Sequence, residues 1–174
     1  MNDQEKINTA HAQTNLVIRQ VINFWEANNK AITAFFNKHE DDVYLGEVAP
    51  GRNRGIYLLA HLIATNDALL PLFNLGEKLF PELAPLASEA ESAVPFELSI
   101  ADLRNKWETL NITLAGHFKN LTAEQWLSRH NSVSDEDFAL DPTRNKLNVL
   151  MNRTSHENYH RGQLIFLNEK VLTV

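Results

Sequence analysis

Three histidines carry the strongest chemical signal in this sequence. His156 and His160 stand four residues apart in the C-terminal segment SHENYHRGQ, and His61 stands far upstream in the apolar run LAHLI. Positions i and i+4 lie one turn apart on one face of a helix, so two imidazoles placed there can point at a single ion. A third imidazole from another helix would complete three protein ligands and leave a coordination position free for water or substrate, as in catalytic metal sites. The spacing therefore predicts a divalent metal site at His61, His156 and His160.

Each part of this pattern also has an ordinary structural interpretation. A single histidine in an apolar run, such as His61, is usually a core residue satisfied by one hydrogen bond, and an isolated His-x-x-x-His pair often binds no metal. Residues 156–160 also match His-Glu-x-x-His, in which the glutamate acts as general base of a zinc peptidase. Only 14 residues follow His160, too few for the extended third-ligand signature of metzincins. Glu157 lies about 100° around the helix from His156, which favours a structural ion pair or a capping interaction for its carboxylate.

Polar side chains share the helix faces of these histidines. With about 100° per residue, one stripe of the last helix comprises Val149, Asn152, His156, His160, Gln163 and Leu167, and one stripe of the second comprises Arg54, Tyr57, His61, Thr65 and Ala68. Burying such polar groups costs free energy unless they find partners, so the two stripes predict a lined cavity. Arg54 and Tyr57 are expected to orient an anionic or polar substrate, and Gln163 to orient a ligand or substrate by hydrogen bonding. For Arg54, an ordinary solvated position near a helix start is the alternative.

Two long helices and a long loop are predicted in the first half of the chain. Apolar side chains recur at mixed 3.6-residue spacing over about residues 10–38, and a charged run over 38–42 is expected to end that helix. A second helix is predicted over 54–70, ended or kinked around Pro71. Residues 73–96 are rich in proline and are predicted to form a loop with at most a short helical piece. Loops of that length inside a compact domain are often functional.

Capping residues mark the predicted helices of the second half. Ser99 and Asp102 form a capping-box pattern, and Asp141 followed by Pro142 is typical of an N-cap with proline at the first helical position. The predicted elements are a third helix over 100–120, a short helix over 122–128, a polar loop over 131–140 with a possible extended stretch, and a fourth helix over 141–170. No stretch shows strand alternation of any length. The pattern predicts an all-α four-helix bundle with long connections, in one domain over residues 1–174.

Composition narrows the class of partner. The chain has no cysteine, so any metal must be held by nitrogen and oxygen ligands. Its formal net charge of −6 argues against a nucleic-acid partner. The partner expected for the predicted metal site is a small-molecule substrate. The polar N-terminus lacks the features of a secretory signal, and the longest largely apolar stretch, residues 56–64, is too short to span a bilayer. We therefore expect a cytoplasmic protein with no membrane partner.

The same residues resemble the DinB-like (DinB/YfiT-like) superfamily of bacterial four-helix-bundle proteins. The resemblance rests on His61 in its Leu-Ala-His-Leu context and on the signature His-Glu-x-x-His-Arg-Gly-Gln-Leu at residues 156–164, and it covers nearly the whole chain. It implies an up-down-down-up bundle, frequently dimeric, with His61, His156 and His160 as the metal triad. It also implies thiol-dependent chemistry, because the better understood members resemble transferases and isomerases that use low-molecular-weight thiols, while many members have no assigned reaction.

These observations predict a metal-dependent enzyme, and the resemblance implies a thiol-dependent S-transferase as the leading reaction. Zinc or nickel would be held by the three histidines, and its open position would bind water or a thiol. The alternative from another class is a non-catalytic bundle that binds a small ligand or serves a stress response, and a metal-dependent hydrolase ranks below both. Leu147, Met151 and Ile165 lie opposite the histidines of the last helix, which predicts burial of that side within the protomer or in a homodimer.

Overall fold

The computed structural model describes residues 2–93 and 97–167, and every regular element in these ranges is helical. The α-helices are α1 (Asp3–Phe36), α2 (Asp41–Tyr44), α3 (Gly55–Asp67), α4 (Leu69–Leu72), α5 (Ile100–Asn120), α6 (Ala123–Leu127), α7 (Asp135–Leu140) and α8 (Lys146–Leu164), and 3₁₀ helices span Pro81–Ala87 and Glu91–Ala93. Pairing of extended backbone within these ranges is limited to two isolated bridges, Glu47 with Arg54 and Arg129 with Asn145. The predicted all-α class is confirmed.

Helix α1 begins earlier than the sequence pattern predicts. The Asn2 side chain accepts a hydrogen bond from the Glu5 backbone amide at 2.8 Å, and the Glu5 carboxylate accepts one from the Asn2 amide at 2.8 Å. This capping box fixes the helix start at Asp3. Residues 3–13 are all exposed, so no apolar periodicity marks these first turns and the predicted start at residue 10 is wrong. The helix ends at Phe36, and the charged run that was expected to end it carries the short helix α2.

Helix α3 lies in the core, and its composition explains why. Every residue of α3 is buried except His61, which is partly exposed. The apolar stretch is longer than the predicted 56–64. It covers Gly55–Leu72, which is long and apolar enough to cross a membrane by length and composition alone. In this structure 78% of that stretch is buried inside the protein, as in the core helix of many proteins. A single partly exposed imidazole on an otherwise buried helix marks where the core opens to solvent.

The four longest helices enclose one apolar core. Helix α1 packs against α5 and α8, and α3 packs against the same two helices and against the 3₁₀ helix Pro81–Ala87. The contact between α1 and α5 includes the edge-to-face pair of Trp25 and Phe118, with ring centroids 5.0 Å apart. Trp107 of α5 donates its indole N–H to the hydroxyl of Thr33 at 2.9 Å. Large aromatic side chains therefore fix the spacing of α1 and α5.

Two predicted elements in the second half are confirmed, and both follow capping boxes. Helix α5 begins after Ser99, whose side chain accepts from the Asp102 amide, and α6 begins after Thr122, whose side chain accepts from the Gln125 amide. The predicted polar loop is wrong over residues 135–140, where α7 forms after Ser134 accepts a hydrogen bond from a backbone amide of its first turn. These starts show that local capping chemistry decides where the short helices form.

The fourth predicted helix starts five residues too early. The Asp141 carboxylate accepts from the backbone amide and the hydroxyl of Thr143, at 3.0 and 2.6 Å, which closes a tight turn instead of a helix. The cap of α8 is Asn145, whose side chain accepts from the Asn148 amide at 2.9 Å. Helix α8 ends at Leu164, and residues 168–170 of the predicted helix lie outside the described ranges.

The proline-rich connection and the side of α8 opposite its histidines complete the comparison with the sequence. The predicted loop over 73–96 contains two 3₁₀ helices in its described part, while its residues 94–96 lie outside that part. On α8, Leu147 is buried within the protomer, whereas Met151 and Ile165 are 52% and 55% exposed. Burial of that side is thus incomplete within one copy, and the homodimer stays a prediction.

Gly55, the first residue of α3, is expected to resist even a methyl group. A Cβ there would lie 2.7 Å from Cδ1 of Leu167 and 3.0 Å from the backbone oxygen of Tyr44. We predict that Gly55→Ala lowers the free energy of unfolding by about 1–3 kcal/mol, because the neighbours must move. Gly116→Ala is the matched control, since a Cβ in that exposed helical position meets nothing within 4 Å. Urea denaturation should show the control stabilised by about 0.5–1 kcal/mol, and equal effects of the two variants would contradict the packing.

Candidate metal centre

Helices α3 and α8 bring the three predicted histidines together. The Nε2 atom of His156 lies 3.1 Å from Nε2 of His61 and 2.9 Å from Nε2 of His160. One ligand nitrogen from each of the three rings lies within 4.8 Å of the others. Tetrahedral coordination with zinc–nitrogen bonds of about 2.0–2.1 Å places ligand nitrogens roughly 3.3 Å apart. The predicted convergence of His61, His156 and His160 is confirmed, and the three side chains could hold a metal ion.

Hydrogen bonds on the far side of two rings fix which nitrogen faces the centre. Nδ1 of His61 lies 2.7 Å from the carbonyl oxygen of Leu86, and Nδ1 of His160 lies 2.8 Å from Oε1 of Gln163. Both oxygens can only accept, so each Nδ1 carries the proton and donates it. The amide nitrogen of Gln163 donates to the Tyr159 hydroxyl at 3.1 Å, which orients its oxygen toward His160. In the neutral rings, Nε2 of His61 and His160 therefore carries a lone pair, as in histidines that bind metals.

The third ring completes the set with a less constrained environment. Nδ1 of His156 is buried and has no hydrogen-bond partner among the described residues. Its Nε2 atom faces two nitrogens that both carry lone pairs, so a single N–H on that atom can satisfy only one of them. A cation among the three nitrogens would satisfy all three lone pairs at once. The donor set therefore fits a divalent metal better than it fits a simple hydrogen-bonded cluster.

Burial keeps the three imidazoles neutral. It is the main cause that lowers the pKa of His156 to about 4, with further lowering by His160, His61 and the charge of Arg153. Burial also lowers the pKa of His61 and of His160, although the bonds to Leu86 and Gln163 oppose the shift. A neutral imidazole is the form that binds a metal, so these side chains are ready for coordination near neutral pH without first losing a proton.

Glu157 occupies a separate polar network on the neighbouring face of α8. Its carboxylate is fully buried and accepts hydrogen bonds from the side-chain amides of Asn66 on α3, at 2.7 Å, and Asn28 on α1, at 2.9 Å. Burial raises the pKa of this carboxyl to about 7, and the two amides oppose the shift. The expected ion pair or capping interaction is not what forms, because the hydrogen-bond partners are neutral side chains, and no salt bridge to Glu157 is found in the described part of the chain. With its oxygens held this way, the carboxylate is poorly placed to act as the base of a peptidase.

Arg54 and Tyr57 of α3 are engaged by the proline-rich connection. Arg54 is exposed and forms an ion pair with Glu91, and it lies seven residues before His61, about 10 Å along the helix. The Tyr57 hydroxyl donates to the carbonyl oxygen of Glu89 at 2.6 Å. Its ring stacks against His61, with centroids 6.0 Å apart and planes 19° apart. Tyr57 therefore supports the His61 ring, and the substrate-orienting roles of Arg54, Tyr57 and Gln163 stay predictions.

Two contributors to the centre were missed at the level of sequence. The Leu86 carbonyl is a backbone group, so its hydrogen bond to His61 cannot be predicted from a residue type. Arg153 lies three residues before His156, and its charge contributes to lowering the pKa of His61 and His156. That i,i+3 spacing places it on the histidine face of α8, and this signal was available in the helical stripe.

Comparison of the chain with protein-family models and with curated proteins finds no match. The functional interpretation therefore depends on the centre itself, which offers three neutral nitrogen donors and no thiolate. His61 and His156 are partly exposed, so the centre lies at the boundary between the core and solvent. Such a centre suits a metal with a free coordination position.

The Glu157 network gives a prediction that does not depend on metal. Glu157→Ala should lower the free energy of unfolding by about 3 kcal/mol or more, because it leaves the buried amides of Asn28 and Asn66 without their acceptor. Asn152→Ala is the control on the same helix, since that side chain is exposed, and it should change stability by less than about 0.5 kcal/mol. Both are measured by urea denaturation in the presence of a chelator. A loss confined to metal-loaded protein would indicate that Glu157 acts at the metal instead.

Proposed function

We propose that this protein is a metal-dependent enzyme acting on small molecules, with a divalent cation, zinc or nickel, held by His61, His156 and His160. The observation that carries the proposal is the direction of the three rings. Their Nε2 atoms converge, while Nδ1 of His61 and of His160 is occupied by Leu86 and Gln163. Partners of this kind on the outer nitrogen are typical of histidines that bind metals. Three imidazoles accept both zinc and nickel, so the donor set leaves these two metals as alternatives.

Residues around the centre orient the histidine rings, keep them neutral and border the side that faces solvent. A divalent cation held by the three histidines would supply Lewis-acid chemistry and would lower the pKa of a water or thiol in its free position. Gln163 keeps His160 in the required tautomer, and Tyr57 packs on the His61 ring. Tyr159, which is 63% exposed and contacts His160, borders the centre on its solvent side. A substrate that reaches the centre from this side meets a mixed aromatic and polar surface.

We further propose that the fold is a DinB-like four-helix bundle with up-down-down-up topology. Residue pairs that support these helix directions are Trp25–Phe118 and Thr33–Trp107 between α1 and α5, Asn28–Arg161 and the groove neighbours Val17 and Met151 between α1 and α8, and His61–His160 and Asn66–Glu157 between α3 and α8. Between α1 and α5, and between α3 and α8, residue numbers rise along one helix as those of their partners fall along the other. Between α1 and α8 the residue numbers rise together. These directions agree with α1 and α8 running one way and α3 and α5 the other.

The reaction we favour joins a whole thiol to an electrophilic small molecule: the thiol sulfur forms a bond to the electrophilic carbon, the bond from that carbon to its leaving group breaks, and the thiol proton departs with the leaving group or to solvent. It rests on the resemblance of residues 156–164 and of the His61 context to the DinB-like signature, and on a set of three histidine donors, which would leave a coordination position of the metal free for a thiol. Peptide hydrolysis is disfavoured because Glu157, the base it would require, is buried and bonded to two amides. A non-catalytic bundle that binds a small ligand is the remaining alternative.

Metal binding is the first test of the proposal. Purified without chelator, the protein should contain stoichiometric metal by elemental analysis, and free zinc at about 100 times its Kd should stabilise the fold by about 2.7 kcal/mol. His160→Ala should abolish the thermal shift, because it removes one of three ligands. The matched control is His11→Ala, at an exposed position of α1, which should retain the full shift. No bound metal, with no shift from zinc, nickel or manganese, would contradict the enzyme proposal, and retained metal in His160→Ala would show that the ligand assignment is wrong.

Reaction class is the second test. We expect turnover when a panel of low-molecular-weight thiols is combined with electrophilic substrates, and none with peptides or amides. Removal of metal by chelation should abolish this turnover, and zinc or nickel should restore it. His160→Ala and His11→Ala provide the inactive and active controls. Turnover of peptides alone would reverse the ranking, whereas metal binding without turnover on either panel would favour the non-catalytic alternative.

A further inference from the structure

Arg153 is a cation that the packing of this protein leaves unpaired beside the three histidines. Its side chain lies mostly within the protein, and burial holds the pKa of its guanidinium below the ordinary value. The Nε atom is buried and has no hydrogen-bond partner. No hydrogen bond or ion pair of Arg153 is found within residues 2–93 and 97–167, and Nε is the one nitrogen of this guanidinium that is both buried and without a partner there. A partly buried cation without an ion-pair partner costs free energy until an anion pairs with it.

The carboxylate nearest in sequence does not fill this role. Glu157 lies one turn after Arg153 on α8 and contributes an electrostatic attraction. Its oxygens accept hydrogen bonds from Asn66 and Asn28, on the side of α8 that faces α3 and α1. The hydrogen-bond donors of Arg153 are therefore not used by Glu157, and Arg153 lies close enough to the histidines for its charge to contribute to lowering the pKa of His61 and His156.

The other two arginines around the centre are already engaged. Arg54 is paired with Glu91 and lies about two turns of α3 away from His61. Arg161 is exposed, and its NH1 atom donates to the side-chain oxygen of Asn28 at 3.2 Å. Among these three arginines, Arg153 alone combines burial, a position next to the histidines and unused hydrogen-bond donors.

We propose that Arg153 binds the anionic group of the substrate, and that the substrate is a small carboxylate whose acid group lies a few bonds from the atom that occupies the free metal position. The inference rests on the metal centre of the proposed function. The planar guanidinium matches the two oxygens of a carboxylate. Arg153 and His156 are separated by three residues, about 4.5 Å along α8. That short separation selects a carboxylate close to the metal-binding atom, as in a 2-substituted acid.

The experiment compares anionic and neutral thiols on cobalt(II)-loaded protein, with binding followed by the thiolate-to-cobalt absorption. Mercaptoacetate carries the carboxylate, and 2-mercaptoethanol lacks it. Arg153→Met should raise the Kd of mercaptoacetate about tenfold or more and that of 2-mercaptoethanol less than about threefold, because only the first loses a charged hydrogen-bonding partner. Arg153→Lys should fall between wild type and Arg153→Met. Arg19→Met, at an exposed position of α1, is the control and should leave both Kd values unchanged.

A comparison within the wild-type protein covers the case in which Arg153→Met does not fold. Mercaptoacetate should bind at least about tenfold more tightly than its neutral amide, mercaptoacetamide. Equal affinities for the acid and the amide, or an equal loss of both thiols in Arg153→Met, would overturn the assignment of Arg153 while leaving the metal centre intact. A wild-type protein that takes up no cobalt would overturn the metal centre itself, and the inference with it.

Discussion

The buried carboxylate of Glu157 is the interaction on which the arrangement of the helices depends. It accepts hydrogen bonds from Asn28 on α1 and Asn66 on α3, so one side chain of α8 joins three helices in the core. A buried acceptor of this kind tolerates little sliding, since a shift of one turn would leave two amides and a carboxylate unsatisfied. Because Glu157 directly follows His156 in the chain, the same bonds fix the height of both α8 imidazoles against His61. The Glu157 contacts thus set the height of the centre, while Leu86 and Gln163 orient the rings through their outer nitrogens.

The sequence predicts elements well where local chemistry and burial agree. Helix α5 has both a capping box at Ser99 and a regular apolar face, and its predicted bounds match the structure. Prediction fails where one signal is missing or misleading. The first turns of α1 are capped by Asn2 but expose every side chain, and Asp141 followed by Pro142 imitates a helix start although the carboxylate closes a turn with Thr143.

The candidate site, too, is predicted from the sequence only in part. The i,i+4 spacing of His156 and His160 is a property of one helix, so the sequence predicts it directly, whereas the approach of His61 to this pair depends on how α3 packs against α8. The bond from His61 to the Leu86 carbonyl requires the path of the proline-rich connection over α3, which no residue type encodes. Arg153 attracts attention because its buried Nε atom has no hydrogen-bond partner in the described part of the chain, and only the packed structure can show this. Residue types thus predict the candidate metal ligands, whereas the tertiary structure determines which groups contact those ligands.

The close approach of Leu167 to Gly55 has a consequence for how firmly the centre is closed. His160 lies one turn from the end of α8, where helices ordinarily fray, and fraying there would withdraw its ring. Leu167 is buried against the start of α3, in space that a side chain on Gly55 would fill. Packing of Leu167 against Gly55 thus holds the end of α8 on the helix that carries His61. Loss of this contact would set the rate at which a bound ion dissociates, so a leucine that does not coordinate the ion would govern its dissociation kinetics.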